Sequence, residues 1–195
     1  MPTGVAIQDP RQQLFDAAER ILLRDGPAAL TSRAVTTEAG CAKGVLHRHF
    51  TDFDDFLAEL VRDRIAQVDD LAATLKESAG AGTVLGNLTA ALTSVFDGVA
   101  VAVIGLIIFR DELRTRLRAD RPTGIPLMTE MAAMIAAYLE AERTAGRLTP
   151  DADPQVLAPT LIGAAHLLFA DRSAPPPDKS AVRGVVATVI GPSLS

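Results

Sequence analysis

An all-α protein is what this sequence predicts, with a short N-terminal group of helices and a larger helical remainder, on three observations. Apolar residues recur at helical spacing through most of the chain, no segment shows the strict alternation of a strand, and Gly, Pro and capping residues interrupt the pattern at helix-length intervals. The 195 residues, 48% hydrophobic and 22% charged, suffice to bury a core.

From Arg11 to Asp25, the residues Leu14, Ala17, Ala18, Ile21 and Leu22 form one apolar stripe, and Gly26-Pro27 supplies the stop. Thr31 caps a second helix of about two turns, which sets Val35 and Ala39 on one face and ends at Gly40. After the connection at residues 40–42 a third short helix spans 43–50, with Leu46 and Phe50 spaced to pack inward. Asp52 caps a long fourth helix, whose period runs through Phe53, Phe56, Leu57, Leu60, Val61, Ile65 and Val68 to about Lys76. Residues 78–82 break it. Further helices are expected at 83–96 and 99–118, separated or bent near Gly98, followed by a break at 120–124. Pro126 suits the first turn of a helix carrying Met128, Met131, Ile135 and Tyr138 and ending near Gly146. Leu157, Leu161, Ala164 and Leu168 continue a helical seam, which Pro159 is expected to kink or delay. A proline-rich loop at 172–178 leads to Val182, Val185, Val186, Val189 and Ile190, a helix by period despite its β-branched content.

The 19 Lys and Arg against 24 Asp and Glu give a net charge of −5, which excludes a uniformly basic coat for nucleic acid. Any contact with a polyanion must therefore be local. Residues 1–50 carry six basic against five acidic side chains, whereas residues 51–80 carry three against eight, so the second segment should point away from such a partner. One cysteine excludes an internal disulfide framework, and no secretory signal stands at the N-terminus, so a cytoplasmic setting is expected. The apolar run 99–109 falls short of the roughly 20 residues that cross a bilayer. Metal and acid–base catalysis lack residues: no Glu stands three before any of the three histidines, and His47 and His49 point about 200° apart on a helix. No cofactor is expected.

Two short helices joined by a tight glycine turn form a helix-turn-helix, whose second helix enters the major groove. The reader is then 43–49. Lys43 adds its charge to the positive end of the helix dipole, which favours phosphate. Arg48 can donate a fork to guanine, and Val45 can touch a thymine methyl.

The segment from Leu14 to Leu57 resembles the N-terminal domain of the TetR (tetracycline-repressor-type) family of regulators. The resemblance rests on LFDAAERILLRDG, T-x-R-x-V-x-x-EAG from Thr31, KG-x-L-x-x-HF from Lys43, and a capped helix beginning DFDDFL. It implies a helix-turn-helix domain over 1–52 and a ligand-binding and dimerisation domain over 53–195. It further implies phosphate contacts at Thr31 and Lys43, close backbone approach at Gly44, and His49 and Phe50 as the family's ending. Arg33 and His47 complete the candidate DNA-binding set of Thr31, Arg33, Lys43, Gly44, Val45, His47, Arg48 and His49. Three positions depart from the family: Ala42 for Ser, His47 for Tyr and Phe53 for Lys, each usual residue serving the phosphate backbone. Binding should accordingly be weaker or lean more on Arg11, Arg33 and Lys43, with His47 either a phosphate donor or a solvated surface residue.

In the C-terminal half, Met128, Met131 and Tyr138 suit either a core or a pocket, and His166 suits either a core or an anchor. The resemblance implies a small-molecule cavity, for which Phe96, Phe109, Met128, Met131, Tyr138 and His166 are candidate lining. It also implies a homodimer through the last two helices, with Leu157, Leu161, Ala164, Leu168, Val182, Val185, Val186 and Val189 at the interface. The expected function is a homodimeric DNA-binding regulator, a repressor released from its operator by a small apolar or amphipathic ligand. The alternative is a helical ligand-binding or interaction protein whose DNA binding has weakened.

Overall fold

The computed structural model describes residues 9–96, 98–120, 122–171 and 175–195. Residues 121 and 172–174, within the expected breaks, lie outside the described residues. Helices dominate, in the order α1 (Pro10–Asp25), α2 (Ser32–Glu38), α3 (Gly44–His49), α4 (Phe53–Glu77), α5 (Val84–Val95), α6 (Ala100–Phe109), α7 (Asp111–Arg118), α8 (Met128–Thr144), α9 (Pro154–Phe169) and α10 (Lys179–Ile190). Single 3-10 turns follow α1 and α10, and no strand occurs among the described residues.

Local chemistry explains the boundaries. The Asp9 carboxylate accepts from the backbone N–H of Arg11 and Gln12 at 3.0 and 3.1 Å, opening α1, and Gly26 closes it at φ 82°, where a side chain would be strained. Asp52 accepts from Asp55 N at 2.8 Å while Asp55 Oδ2 accepts from Thr51 N at 2.8 Å. These reciprocal bonds fix the corner between α3 and α4. The backbone N–H of Asp55, helped by Arg116, holds the Asp52 carboxyl below its ordinary range.

With 25 residues, α4 is about 37 Å long at 1.5 Å per residue. It joins the α1–α3 group to the C-terminal helices, packing on α8, α7 and α5. In the C-terminal part α9 lies on α8, while α10 packs on α5 and α9. The helix α6, apolar around its circumference, touches α1 and the 3-10 turn at Pro27–Ala29. A ring cluster of Phe15, Phe50, Phe53 and Phe56 fills the junction of α1, α3 and α4, with centroids 5.1 to 5.9 Å apart.

Three expectations need correction. The helix expected over 99–118 breaks at Arg110, whose backbone is extended at φ −122°. Its guanidinium reaches Asp54 at 2.7 Å and lies over the Phe53 ring, and the bend allows α7 to lie along α4. Pro126, expected in the first turn of α8, stands ahead of it, because the Leu127 N–H donates to Glu130 Oε2 and sets the helix start at Met128. Of the two outcomes expected at Pro159 there is no delay: α9 starts at Pro154 under an Asp153 cap and continues through the second proline. The valine-rich C-terminal segment is helical: among the described residues no strand exists to pair with it, so its period decides. No single helix among the described residues is long and apolar enough to cross a membrane.

Candidate nucleic-acid interface and effector cavity

Between α2 and α3 the chain turns at Gly40, φ 66°, where the N–H groups of Gly40 and Cys41 donate to the carbonyls of Thr37 and Thr36 at 3.1 and 3.0 Å. The glycine is required because the left-handed conformation closes these bonds. Val35, Ala39, Leu46 and Phe50 all turn into the core. Their burial fixes which face of α3 is left to solvent.

That outward face carries the candidate DNA-binding residues. Thr31, Arg33, Lys43, Gly44, His47, Arg48 and His49 are exposed, and Val45 is half-buried. Thr31 Oγ1 accepts from Ala34 N at 3.1 Å, which leaves its hydroxyl hydrogen to donate outward. A Cβ on Gly44 would meet nothing within 4 Å, so the surface there is open to close approach.

Charge pairing separates this face from the helix behind it. Arg20 and Arg24 on α1 both reach Glu38, at 2.9 and 3.1 Å, and those bonds, Arg20 first, lower the Glu38 carboxyl from its usual range. Arg11 pairs with Glu59 at 2.8 Å and stacks over Phe50 at 4.7 Å. By contrast Arg33, Lys43 and Arg48 have no ion-pair partner among the described residues. Arg11 is thus engaged within the fold and does not belong with Arg33 and Lys43 as a free cation. Phe53, where the resemblance expects Lys, is stacked on Phe56 at 5.6 Å under the Arg110 guanidinium. It is a structural ring at the junction.

Among the C-terminal helices a cavity of about 110 Å³ opens between α4, α5, α6 and the start of α8, walled by Arg64, Gln67, Val68, Leu71, Ser94, Val95, Ala100, Leu127 and Met131. It shares Leu71 and Ser94 with a mainly apolar groove of about 290 Å³ that continues along α4 and α5 to Ser78 and Asn87. Of the expected lining residues only Met131 is there. Phe109 is 89% exposed at the end of α6 and encloses nothing. Phe96 is committed to Phe169, stacked at 5.3 Å, with His166 at 6.3 Å. Burial lowers the His166 imidazole from its ordinary value, and its Nδ1 has no partner among the described residues. Met128 packs on the core from the first turn of α8.

Tyr138 is wholly buried and donates to Glu142 Oε1 at 2.5 Å while accepting from Asn87 Nδ2 at 3.0 Å. Burial and the adjoining carboxylate raise its hydroxyl above the usual range. Glu142, also wholly buried, accepts from Gly80 N at 3.2 Å and pairs with Arg147 at 3.4 Å. This network ties the 78–82 turn to α8 and leaves Tyr138 no free capacity.

The expected dimer residues divide by orientation. Leu161, Val182 and Val186 are buried within the protomer's own core, because α9 packs on α8 and α10 on α5. Leu157, Ala164, Leu168, Val185 and Val189 are half-buried. The outward side of α9 instead presents Val156, 60% exposed, and Leu167, 76% exposed, with open space at Gly163 between them.

Sequence reasoning missed Arg64, Gln67 and Leu127. Arg64 reads as one polar residue on a long amphipathic helix, and its partner Glu19, at 3.0 Å, stands in another helix with no local signal linking them. Leu127 has φ 73°, the sole non-glycine residue in the left-handed region among those described, and its N–H donates to Glu130 Oε2 at 2.6 Å. Leucine gives no warning of such a conformation.

Comparison with known proteins places this geometry. Residues 14–60 match the model of the tetR family of bacterial regulatory proteins. The chain is 26% identical over 148 residues to the HTH-type transcriptional repressor KstR2 of Rhodococcus jostii (strain RHA1), covering 75% of this chain and 71% of that protein. It is 31% identical over 64 residues, 33% of each chain, to the HTH-type nicotine-responsive transcriptional repressor HdnoR of Paenarthrobacter nicotinovorans. In three dimensions it is similar to a TetR-family transcriptional regulator from Agrobacterium tumefaciens, with a TM-score of 0.71 at 15% identity over 95% of this chain and 98% of that one.

Proposed function

We propose that this chain, whose residues 14–60 match the tetR family of bacterial regulatory proteins and which is 26% identical over 148 residues to a transcriptional repressor, is a homodimeric repressor released from its operator by a small apolar or amphipathic effector. The observation that carries the reading is the outward face of α2 and α3, where Arg33, Lys43 and Arg48 stand exposed without carboxylate partners among the described residues. Lys43 and Thr31 hold phosphates, while Arg48 and the edge of Val45 meet bases. Gly44 permits close approach, with His47 and His49 flanking. Residues 1–52 act as the reader and 53–195 as the effector and dimer part.

Dimerisation uses the outward side of α9 with the neighbouring edge of α10, centred on Val156, Gly163 and Leu167 and bordered by Ala164, Leu168 and Val185. It must set two copies of α3 about 34–36 Å apart, one turn of B-DNA or a multiple of it. An effector in the cavity beside α4 releases DNA by favouring the arrangement that misses this spacing.

Selection of bound duplexes from random DNA, followed by mobility shift at several salt concentrations, tests the proposal. The expected result is a two-fold symmetric site whose affinity falls with salt by about 0.9 log units per neutralised phosphate. Failure to enrich any sequence, with no shift on any duplex, would overturn it in favour of a helical ligand-binding protein with weakened DNA binding.

A further inference from the structure

We infer that the effector is an amphipathic monocarboxylate whose head group takes the Arg64 guanidinium from Glu19, unfastening that one tie between the DNA reader and α4. The inference rests on the effector-released reading above and names the chemistry and contact that it leaves open.

Four observations converge on it. First, Arg64 is the one charged side chain in the cavity wall; the rest is apolar apart from Gln67 and Ser94. A cation placed inside would meet Arg64 directly. A neutral molecule would fill the apolar part and leave the ion pair untouched. A carboxylate instead finds a charge-assisted donor at the polar end, with an apolar channel leading away from it.

Second, the guanidinium already holds a carboxylate, and that carboxylate belongs to the reader. Arg64 Nε lies 3.0 Å from Glu19 Oε1 on α1, and Arg64 Nη1 donates to Gln67 Oε1 at 2.6 Å. The pair is mostly shielded, with side chains 20% and 24% exposed. It ties the reader's first helix to the middle of α4, beside the cavity.

Third, Glu19 is a poor occupant of its place. Burial raises its carboxyl from the ordinary range, and Asp16 and Asp63 raise it further, with Arg64 alone opposing them. An incoming carboxylate keeps Arg64 paired and lets Glu19 turn to water, so the exchange strands no charge.

Fourth, the cavity has room to grow. Its volume of about 110 Å³ is somewhat below the roughly 150 Å³ of an apolar cavity that takes up benzene, and the adjoining groove of about 290 Å³ extends it past Leu71 and Ser94. A straight alkyl chain suits this shape. At the other wall Leu127 holds a backbone conformation that costs a non-glycine residue free energy, so a ligand pressing there can be accommodated by its relaxation.

The test uses the full chain, with sodium octanoate as probe and octanamide as its neutral counterpart. Titration calorimetry without DNA should show octanoate binding about tenfold or more tightly than octanamide, the worth of a hydrogen-bonded charge. Arg64→Gln should reduce octanoate to the level of the amide, whereas Arg64→Lys, which keeps the charge, should retain most of the preference. Glu19→Gln removes the competitor and should tighten octanoate several-fold. On the selected operator, saturating octanoate should weaken the wild type at least about fivefold, the lower range of allosteric couplings. The same addition should leave Glu19→Gln, already unfastened, nearly unchanged.

Equal octanoate affinity in the wild type and a folded Arg64→Gln protein would overturn the inference, as would no binding of octanoate at all. Release of Glu19→Gln from DNA to the wild-type extent would overturn the contact exchange. These outcomes are separate from failure of the functional reading, which shows as absence of operator binding before any carboxylate is added.

Discussion

At the N-terminal end of α4 three cations face solvent with no ion-pair partner among the described residues, while at the far end a wholly buried carboxylate has its partners within the fold. Arg33, Lys43 and Arg48 are exposed on α2, at the start of α3 and on α3, where water solvates them at little cost. Glu142 instead receives Tyr138, Gly80 N and Arg147, and removing one of them would strand a buried group. Both ends are polar, yet only the first has capacity left for a partner. A tyrosine beside a carboxylate is thus no sign of a ligand site when both are already satisfied, whereas three solvated cations on one face are a resource.

The comparison breaks most severely if the junction between the two ends loses its centre. Phe56 is wholly buried among Phe15, Phe50 and Phe53, and Phe56→Ala should cost about 3–5 kcal/mol of stability by urea unfolding. A loss below about 1 kcal/mol would show that the ring cluster does not hold reader and core together.

Next comes the reader face itself. Arg48→Ala should weaken operator binding by about 1–3 kcal/mol and relax preference at one base pair. Lys43→Ala should weaken all sequences alike and reduce the salt slope by about 0.9. If both variants lose affinity without any change in base preference, α3 supplies charge alone and the direct-readout role of Arg48 fails.

A smaller effect sharpens the role of the hinge. Arg110→Ala removes the Asp54 pair and the cation over Phe53, contacts that are partly exposed, so a loss of about 1 kcal/mol is expected. Hydrogen exchange should quicken at the start of α4 and in α7. Unchanged exchange there would assign the bend at Arg110 no fastening role.

The smallest effect concerns His166. Its imidazole titrates below the ordinary value of 6.5 because burial disfavours the charged form. The folded state therefore binds the proton less readily than the unfolded chain. The contribution is present in full above pH 6.5 and drains away as pH falls from there through the folded value. His166→Gln should flatten that part of the stability profile, read as melting temperature between about pH 7.5 and 5.5. An identical slope in the variant would place the titration elsewhere.

The N-terminal helices were legible because local rules and tertiary needs agree there. Thr31 and Asp52 cap where they stand, Gly26 and Gly40 take positive φ, and the apolar faces of α1 to α3 each have one core to meet. Once Leu46 and Phe50 turn inward, Gly44, His47, Arg48 and His49 face out and Val45 is left at the edge of the core. The C-terminal helices obey a weaker constraint. On α9 apolar residues occupy both sides, Leu161 and Ala165 facing inward and Val156 and Leu167 outward. Periodicity therefore locates the helix but cannot say which side meets the protomer's own core. The resemblance offered Phe96 and Tyr138 as cavity lining, but they pack and bond with partners distant in sequence, Phe169 and Asn87.

By itself the sequence determined the helical class, the two short helices with their tight turn, and the outward placing of Lys43 and Arg48 on the second of them. These follow from spacing and capping over a few residues, interactions that the chain carries wherever it is placed. The tertiary structure alone decided that Arg11 is engaged, that the helix over 99–118 breaks at Arg110, that the cavity runs beside Arg64, and that α9 shows Val156 and Leu167 to solvent. Each of those outcomes depends on a partner in another helix, and pairing between helices is set by packing the whole core at once.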